Sequence, residues 1–169
     1  MHRFSILTVF LLTTTSVIAQ NVDADWPLGC YVRDYSADHL ARHPDQVVDR
    51  MSILFTQPNL SHPTSGLVWA EIQVLLADQG HAARSGFGGL RVAEVAASYG
   101  VPFAFGVDCD GGSFEVVAHD AAGITIETDR LNLRGGCGPG DNIYTTLAEI
   151  EGETTAYKMI KADEAACHW

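Results

Sequence analysis

The chain has 169 residues, with ten basic and 21 acidic side chains and a formal net charge of −11. Binding to phosphates by counterion release needs clustered lysine and arginine. Here these residues are few and scattered, so nucleic acid and anionic membrane surfaces are poor partners. An acidic surface attracts a basic protein at long range.

In chain order, the first signal is a targeting segment. Met1-His2-Arg3 is a short basic head, Phe4 to Leu12 is apolar, and Thr13 to Ala19 is small and mostly polar. Small or medium residues at Val17-Ile18-Ala19 suit a signal peptidase, which predicts cleavage before Gln20. The expected organisation is a signal peptide over 1–19 and one exported domain over 20–169. The apolar run is too short for a bilayer, which takes about 20 residues, and no later run approaches that length. Removing the leader takes away one arginine and no acid, so the balance becomes one charge more negative. The expected location is periplasmic or secreted.

Leu28 to Tyr35 reads as a first strand, with aromatic and β-branched residues in Tyr31-Val32. Ser36 is placed to cap a short helix running to Ala41 or Arg42, and Pro44 disfavours helix at His43. Val47 to Thr56 puts Met51, Ile53 and Phe55 on one face and Arg50, Ser52 and Leu54 on the other. Pro58 to Gly66 is a loop containing the sequon Asn59-Leu60-Ser61, which matters only in a eukaryotic host. Leu67 to Ala77 is the longest strand candidate. Its Val68, Ala70, Ile72, Val74 and Leu76 alternate with Trp69, Glu71, Gln73 and Leu75, as in a sheet wet on one side. Turns at Asp78-Gln79-Gly80 and Gly86 to Gly89 bracket His81 to Phe87, and Leu90 to Ala97 reads as strand.

Phe103 to Phe114 carries the strongest local signal. Alternating apolar residues up to Val107 and from Phe114 flank Asp110-Gly111-Gly112, and glycine adopts the positive φ of a primed hairpin turn. A turn over Asp120 to Gly123 then leads into Ile124 to Asp129, extended by Leu131 and Leu133. After the glycine-rich loop Gly135 to Asp141, Asn142 to Glu151 and Ala156 to Lys161 are the last two predicted strands. Short runs with turn chemistry between neighbours predict an all-β antiparallel meander. It would close into a barrel of about eight strands or fold into a two-sheet sandwich, with one short helix after the first strand. The inward residues are bulky enough to fill such a barrel, which favours a packed interior over a ligand cavity.

Four cysteines in an exported chain imply two disulfides, with three possible pairings. The expected pairs are Cys109–Cys137 and Cys30–Cys167, the second tying the first strand to a tail that a closed sheet brings near. No pair has the Cys-x-x-Cys spacing of a metal site.

The pieces Cys30-Tyr31-x-Arg33-x-Tyr35, His39-Leu40-x-x-His43-Pro44-x-Gln46-x-Val48 and Cys109-Asp110-Gly111-Gly112 form spaced islands. With the ending Tyr157-Lys158 through Asp163 to Cys167, they cover most of the chain beyond the leader. This pattern resembles a group of small exported bacterial β-rich proteins to which no function is attached. The resemblance implies an exported β domain and supplies no catalytic residue, substrate or cofactor.

For chemistry, His39 and His43 are four apart, so their rings project from the same side of a helical turn. With a third ligand they could hold zinc or copper. However, Leu40 stands where a metalloprotease motif needs glutamate, and pinning the helix to the first strand is the simpler role. Asp108 and Asp110 invite a calcium reading, yet the twelfth loop position is His119 rather than glutamate. Ser85 and Ser113 lack a nucleophile elbow, Cys167-His168 suggests a pair only if the cysteine is reduced, and Glu127 with Asp129 shares a strand face as many solvated acids do. Trp69 and Tyr99 are candidate partner surface. No motif asks for a cofactor. The function read from sequence is a non-catalytic binding or inhibitory module of the cell envelope, meeting a basic protein or a small ligand. The alternative is a metal-binding protein or metal-dependent enzyme using His39 and His43.

Overall fold

The computed structural model describes residues 25–57, 67–98, 101–134, 137–138 and 143–169. The expected leader, the sequon at Asn59 and the candidate Tyr99 lie outside them. The described residues form nine strands: β1 (Gly29–Asp34), β2 (Val48–Thr56), β3 (Trp69–Leu76), β4 (Arg91–Ser98), β5 (Ala104–Val107), β6 (Gly112–His119), β7 (Gly123–Arg134), β8 (Ile143–Thr146) and β9 (Thr155–Ala162). Neighbours pair antiparallel from β1 to β7 as a meander. β9 then joins β7 to β1, through pairs such as Ile126↔Tyr157 and Tyr31↔Lys161. That closes an eight-stranded barrel and excludes the sandwich. β8 stands outside the ring, paired only with the far end of β7 at Asn132↔Thr146 and Leu133↔Thr145.

The period-two pattern decides which side chains fill the barrel. Met51, Ile53 and Phe55 of β2 and Ala70, Ile72, Val74 and Leu76 of β3 are all buried. At the centre the rings of Phe105 and Phe114 stack at 5.0 Å with planes 6° apart, and Phe55 lies 5.0 Å from Phe105. The interior is therefore packed rather than open. β7 keeps both its inner sets, Ile124, Ile126 and Thr128, then Leu131 and Leu133, because an extra residue shifts its register against β6 between the pairs Glu115↔Glu127 and Ser113↔Arg130. Such a bulge also curves the sheet toward closure.

The β5–β6 turn differs from the sequence expectation. Cys109 and Asp110, rather than glycine, take its two left-handed central positions, with φ of 60° and 61°. The amide of Gly111 donates to the Asp108 carbonyl at 3.2 Å. Glycine is required one residue later: Gly112 has φ +79°, and a Cβ there would overlap the carbonyl oxygen of Arg130. The disulfide Cys109–Cys137 and the bond from Asn132 Nδ2 to the Asp110 carbonyl at 3.2 Å hold this conformation.

The second disulfide, Cys30–Cys167, fastens the C-terminal tail over the outer face of β1 and β2. A turn of 3-10 helix, η1 (Glu164–Cys167), covers Val32 and Leu54, and the Trp169 indole donates to Ser52 Oγ at 2.9 Å between the guanidinium groups of Arg50 and Arg91. Cys167 is thus oxidised, and no nucleophile pairs with His168. Two oxidised pairs fit a disulfide-permissive compartment. Among the described residues no helix is long and apolar enough to cross a membrane.

Two predictions of local structure need correction. A second helix, α2 (Gly80–Arg84), follows β3; its five residues are too few for a readable 3.6-residue period. The predicted strand Asn142–Glu151 is a strand only to Thr146, and the chain then turns across the barrel mouth, where the buried Leu147 and Ala148 cap the core.

Candidate functional site

The barrel's two mouths are closed differently. At the mouth where β1 begins, Trp26 packs on Phe103 at 5.1 Å and on Phe105 at 5.8 Å. At the opposite mouth, where β1 ends, the closure is polar. Helix α1 (Ala37–Arg42) lies there, capped by Ser36 Oγ, which accepts from the His39 amide at 3.2 Å. None of its six residues is buried.

What holds α1 on the rim is a stack of flat groups. The Arg33 guanidinium lies 4.4 Å from the centre of the Tyr35 ring. Tyr35 lies 4.6 Å from His39, and His39 lies 4.2 Å from His43 with planes 22° apart. The sequence placed both imidazoles on one side of a turn, and that is where they stand. Their near-parallel planes run the nitrogen lone pairs side by side, so the two rings do not converge on one ion. Among the described residues no group of three or more His, Cys, Asp or Glu is arranged to hold a metal.

Beneath the stack, Gln46 is almost wholly buried, and its Nε2 has no hydrogen-bond acceptor; the Nε of Arg33 is likewise buried and unpaired. The Tyr157 hydroxyl donates to the Leu147 carbonyl at 2.6 Å. The backbone of α1 is tied to its neighbour by Gln79 Nε2, which donates to the His43 carbonyl at 2.6 Å.

Proton affinities mark the same place. Burial raises the Tyr35 phenol against the opposing charge of Arg33, and burial raises Tyr157 well above the ordinary tyrosine range. Partial desolvation lowers His39, with the adjacent His43 adding to the effect and the Gln46 side chain opposing it. Burial raises Glu149, opposed by His43 and reinforced by Asp45. Among the described residues, the four side chains whose proton affinity clearly departs from the ordinary value all belong to this cluster. Perturbed groups that gather in one place mark a functional-site candidate.

The cluster opens sideways onto a surface cleft of about 920 Å³, whose walls include Asp45, His81, Arg84, Asp129, Arg130 and Glu149. His81 fixes one wall. Its Nε2 lies 2.9 Å from the Ala148 carbonyl and its Nδ1 lies 2.8 Å from Thr145 Oγ1. Since a carbonyl only accepts, Nε2 carries the proton and, in the neutral ring, Nδ1 accepts from the hydroxyl.

Of the residues singled out from sequence, His39 and His43 stand at this site. Asp129 and Ser113 line the cleft, while Glu127 lines a smaller neighbouring depression with Asp129 and Ser113. Ser85 is the exposed cap that ends α2, and Asp110 serves the hairpin turn. Trp69 sits half-buried on the outer face of β3, opposite Thr56 and Ala97, far along the barrel from α1. Sequence reasoning missed Tyr35, Gln46, His81, Glu149 and Tyr157. Tyr35 was findable, because 35, 39 and 43 continue one four-residue spacing. Glu149 and Tyr157 reach the site only through closure of the barrel, which no local pattern reports.

Comparison with family models, with curated proteins and with solved structures returns no match.

Proposed function

We propose that this protein is an exported, non-catalytic binding module of the cell envelope, and that its rim cleft receives a cationic side chain of a basic protein partner. The observation that carries the reading is the packed barrel. With Phe55, Phe105 and Phe114 filling the centre, a ligand cannot enter as it does in open-mouthed barrels. Recognition falls to the outside, where the cleft is the largest concavity described.

Its chemistry favours a cation. Asp45, Asp129, Glu149 and Glu151 line it against Arg84 and Arg130, and the whole chain carries a net charge of −11. Long-range attraction of that sign speeds encounter with a basic protein. A cell-wall hydrolase with a basic surface has the matching charge and shares the compartment. Two disulfides support life outside the reducing cytosol.

Titration calorimetry against a basic cell-wall hydrolase, with an acidic protein of similar size as control, tests this. The expected result is binding to the hydrolase alone, weakened by salt and reduced at least tenfold by the double change Asp129→Asn, Glu151→Gln. Binding that ignores both salt and the double change overturns the assignment to the cleft.

A further inference from the structure

The α1 stack has the features of a two-position element. The helix buries no side chain of its own and is held by the Tyr35–His39–His43 stack and one bond from Gln79. The closed position also keeps Gln46 Nε2 and Arg33 Nε out of water without partners, and a buried donor left unpaired is unfavourable. Lifting α1 would hydrate both, so the closed and open positions differ little in free energy.

The charges around the stack decide which position acid favours. Arg33 of β1 and Arg42 of α1 add positive potential at His39, and His43 faces it at 4.2 Å. Tyr35 and Tyr157, from β1 and β9, face the cluster as neutral phenols, and Gln46 and Gln79 contribute uncharged amides. Asp45, on the loop leaving α1, and Glu149, before β9, are the facing acids, and both line the cleft. At neutral pH the two imidazoles stack without repulsion. When both are protonated, two cations face each other beside two arginines.

We propose that α1 is a proton-operated latch on the rim cleft: neutral imidazoles hold it against Tyr35, and protonation of the stacked pair releases it. Resting on the reading of the cleft given above, release also weakens the grip on a basic partner. It displaces Asp45 with the loop and sets a cationic His43 beside Glu149. The depressed proton affinity of His39 is what such a latch requires, since the closed state opposes its protonation.

Amide hydrogen exchange of residues 37–46 at pH 7.5 and pH 5.5, corrected for intrinsic chemistry and referenced to the barrel strands, tests the latch without any partner. Protection should fall at least tenfold at the lower pH in the native sequence. The fall should vanish in the double variant His39→Gln, His43→Gln. Equal protection at both pH values in the native protein overturns the latch. If the variant fails to fold, imidazole titration by NMR in the native protein decides: His39 should titrate below the free-imidazole range as protection of 37–46 is lost, and an ordinary titration overturns the proposal. Binding to the hydrolase keeps the two claims apart. Absence of binding at every pH counts against the cleft alone. Binding with the same pH profile in the double variant counts against the latch alone.

Discussion

The two mouths of the barrel solve one problem with opposite chemistry. Where β1 begins, Trp26, Phe103 and Phe105 cover the core with aromatic surface, and the contacts are indifferent to protons. Where β1 ends, the cover is built from Tyr35, His39, His43, Gln46, Glu149 and Tyr157, four of which have displaced proton affinities. Closing a barrel needs only the first solution. A polar lid leaves two buried donors unpaired and adds nothing to packing that leucine would not supply better. The contrast assigns the first mouth to stability and the second to function.

The sharpest way to break this comparison is to empty the apolar side. Phe105 is fully buried and touches Trp26, Phe55 and Phe114. Phe105→Ala should cost about 3–5 kcal/mol, the range for removing a buried aromatic ring. In urea unfolding the deficit should be the same at pH 7.5 and pH 5.5, because no titrating group is involved. A strongly pH-dependent deficit would mean that the two mouths are coupled through the core.

At the polar mouth the next effect is smaller and local. Tyr157→Phe keeps the ring and removes only the hydroxyl that donates to Leu147. The carbonyl left behind is buried, so the loss should be about 1–3 kcal/mol, well below that of Phe105→Ala. Crystallography or NMR of the variant should show the segment after β8 shifted and the Phe105–Phe114 stack unmoved.

The uneven legibility of the sequence follows the same division. Alternation in β2 and β3 announced the barrel interior because a half-buried strand must alternate, whatever its partners. The pairing of Cys30 with Cys167 was readable because a closed sheet brings its first strand to its tail. The turn at Cys109-Asp110 was placed in the right stretch but on the wrong residues, since the disulfide and Asn132 force two non-glycine residues into left-handed conformations. The site was half visible. His39 and His43 share a helix and a local spacing, whereas Glu149 and Tyr157 arrive from residues more than a hundred positions away. Nothing in the period of Asn142 to Glu151 marked Thr146 as the end of β8, because Leu147 and Ala148 are buried as a cap rather than as part of a ladder.

The smallest predicted effect is the most specific to the polar mouth, and its sign is opposite to that of the histidine beside it. His39 has a lowered proton affinity in the fold, so its contribution to stability is full above the ordinary imidazole range and is lost as pH falls. Glu149 has a raised one, through burial first and Asp45 second. Its folded form holds the proton more tightly than the unfolded chain, so its contribution is full in acid and is lost as pH rises through and above the ordinary glutamate value of about 4.3. At neutral pH the ionised Glu149 therefore destabilises the fold slightly. Glu149→Gln should raise stability by a few tenths of a kcal/mol at pH 7, a modest figure because the half-buried side chain is still screened by water. The gain should disappear below about pH 4, where native and variant side chains are both neutral. A gain that persisted at pH 3.5 would locate the effect in packing. A loss at pH 7 would mean that His43 holds the carboxylate more firmly than burial opposes it, and the polar mouth would then be a stabilising ion pair instead of a functional site.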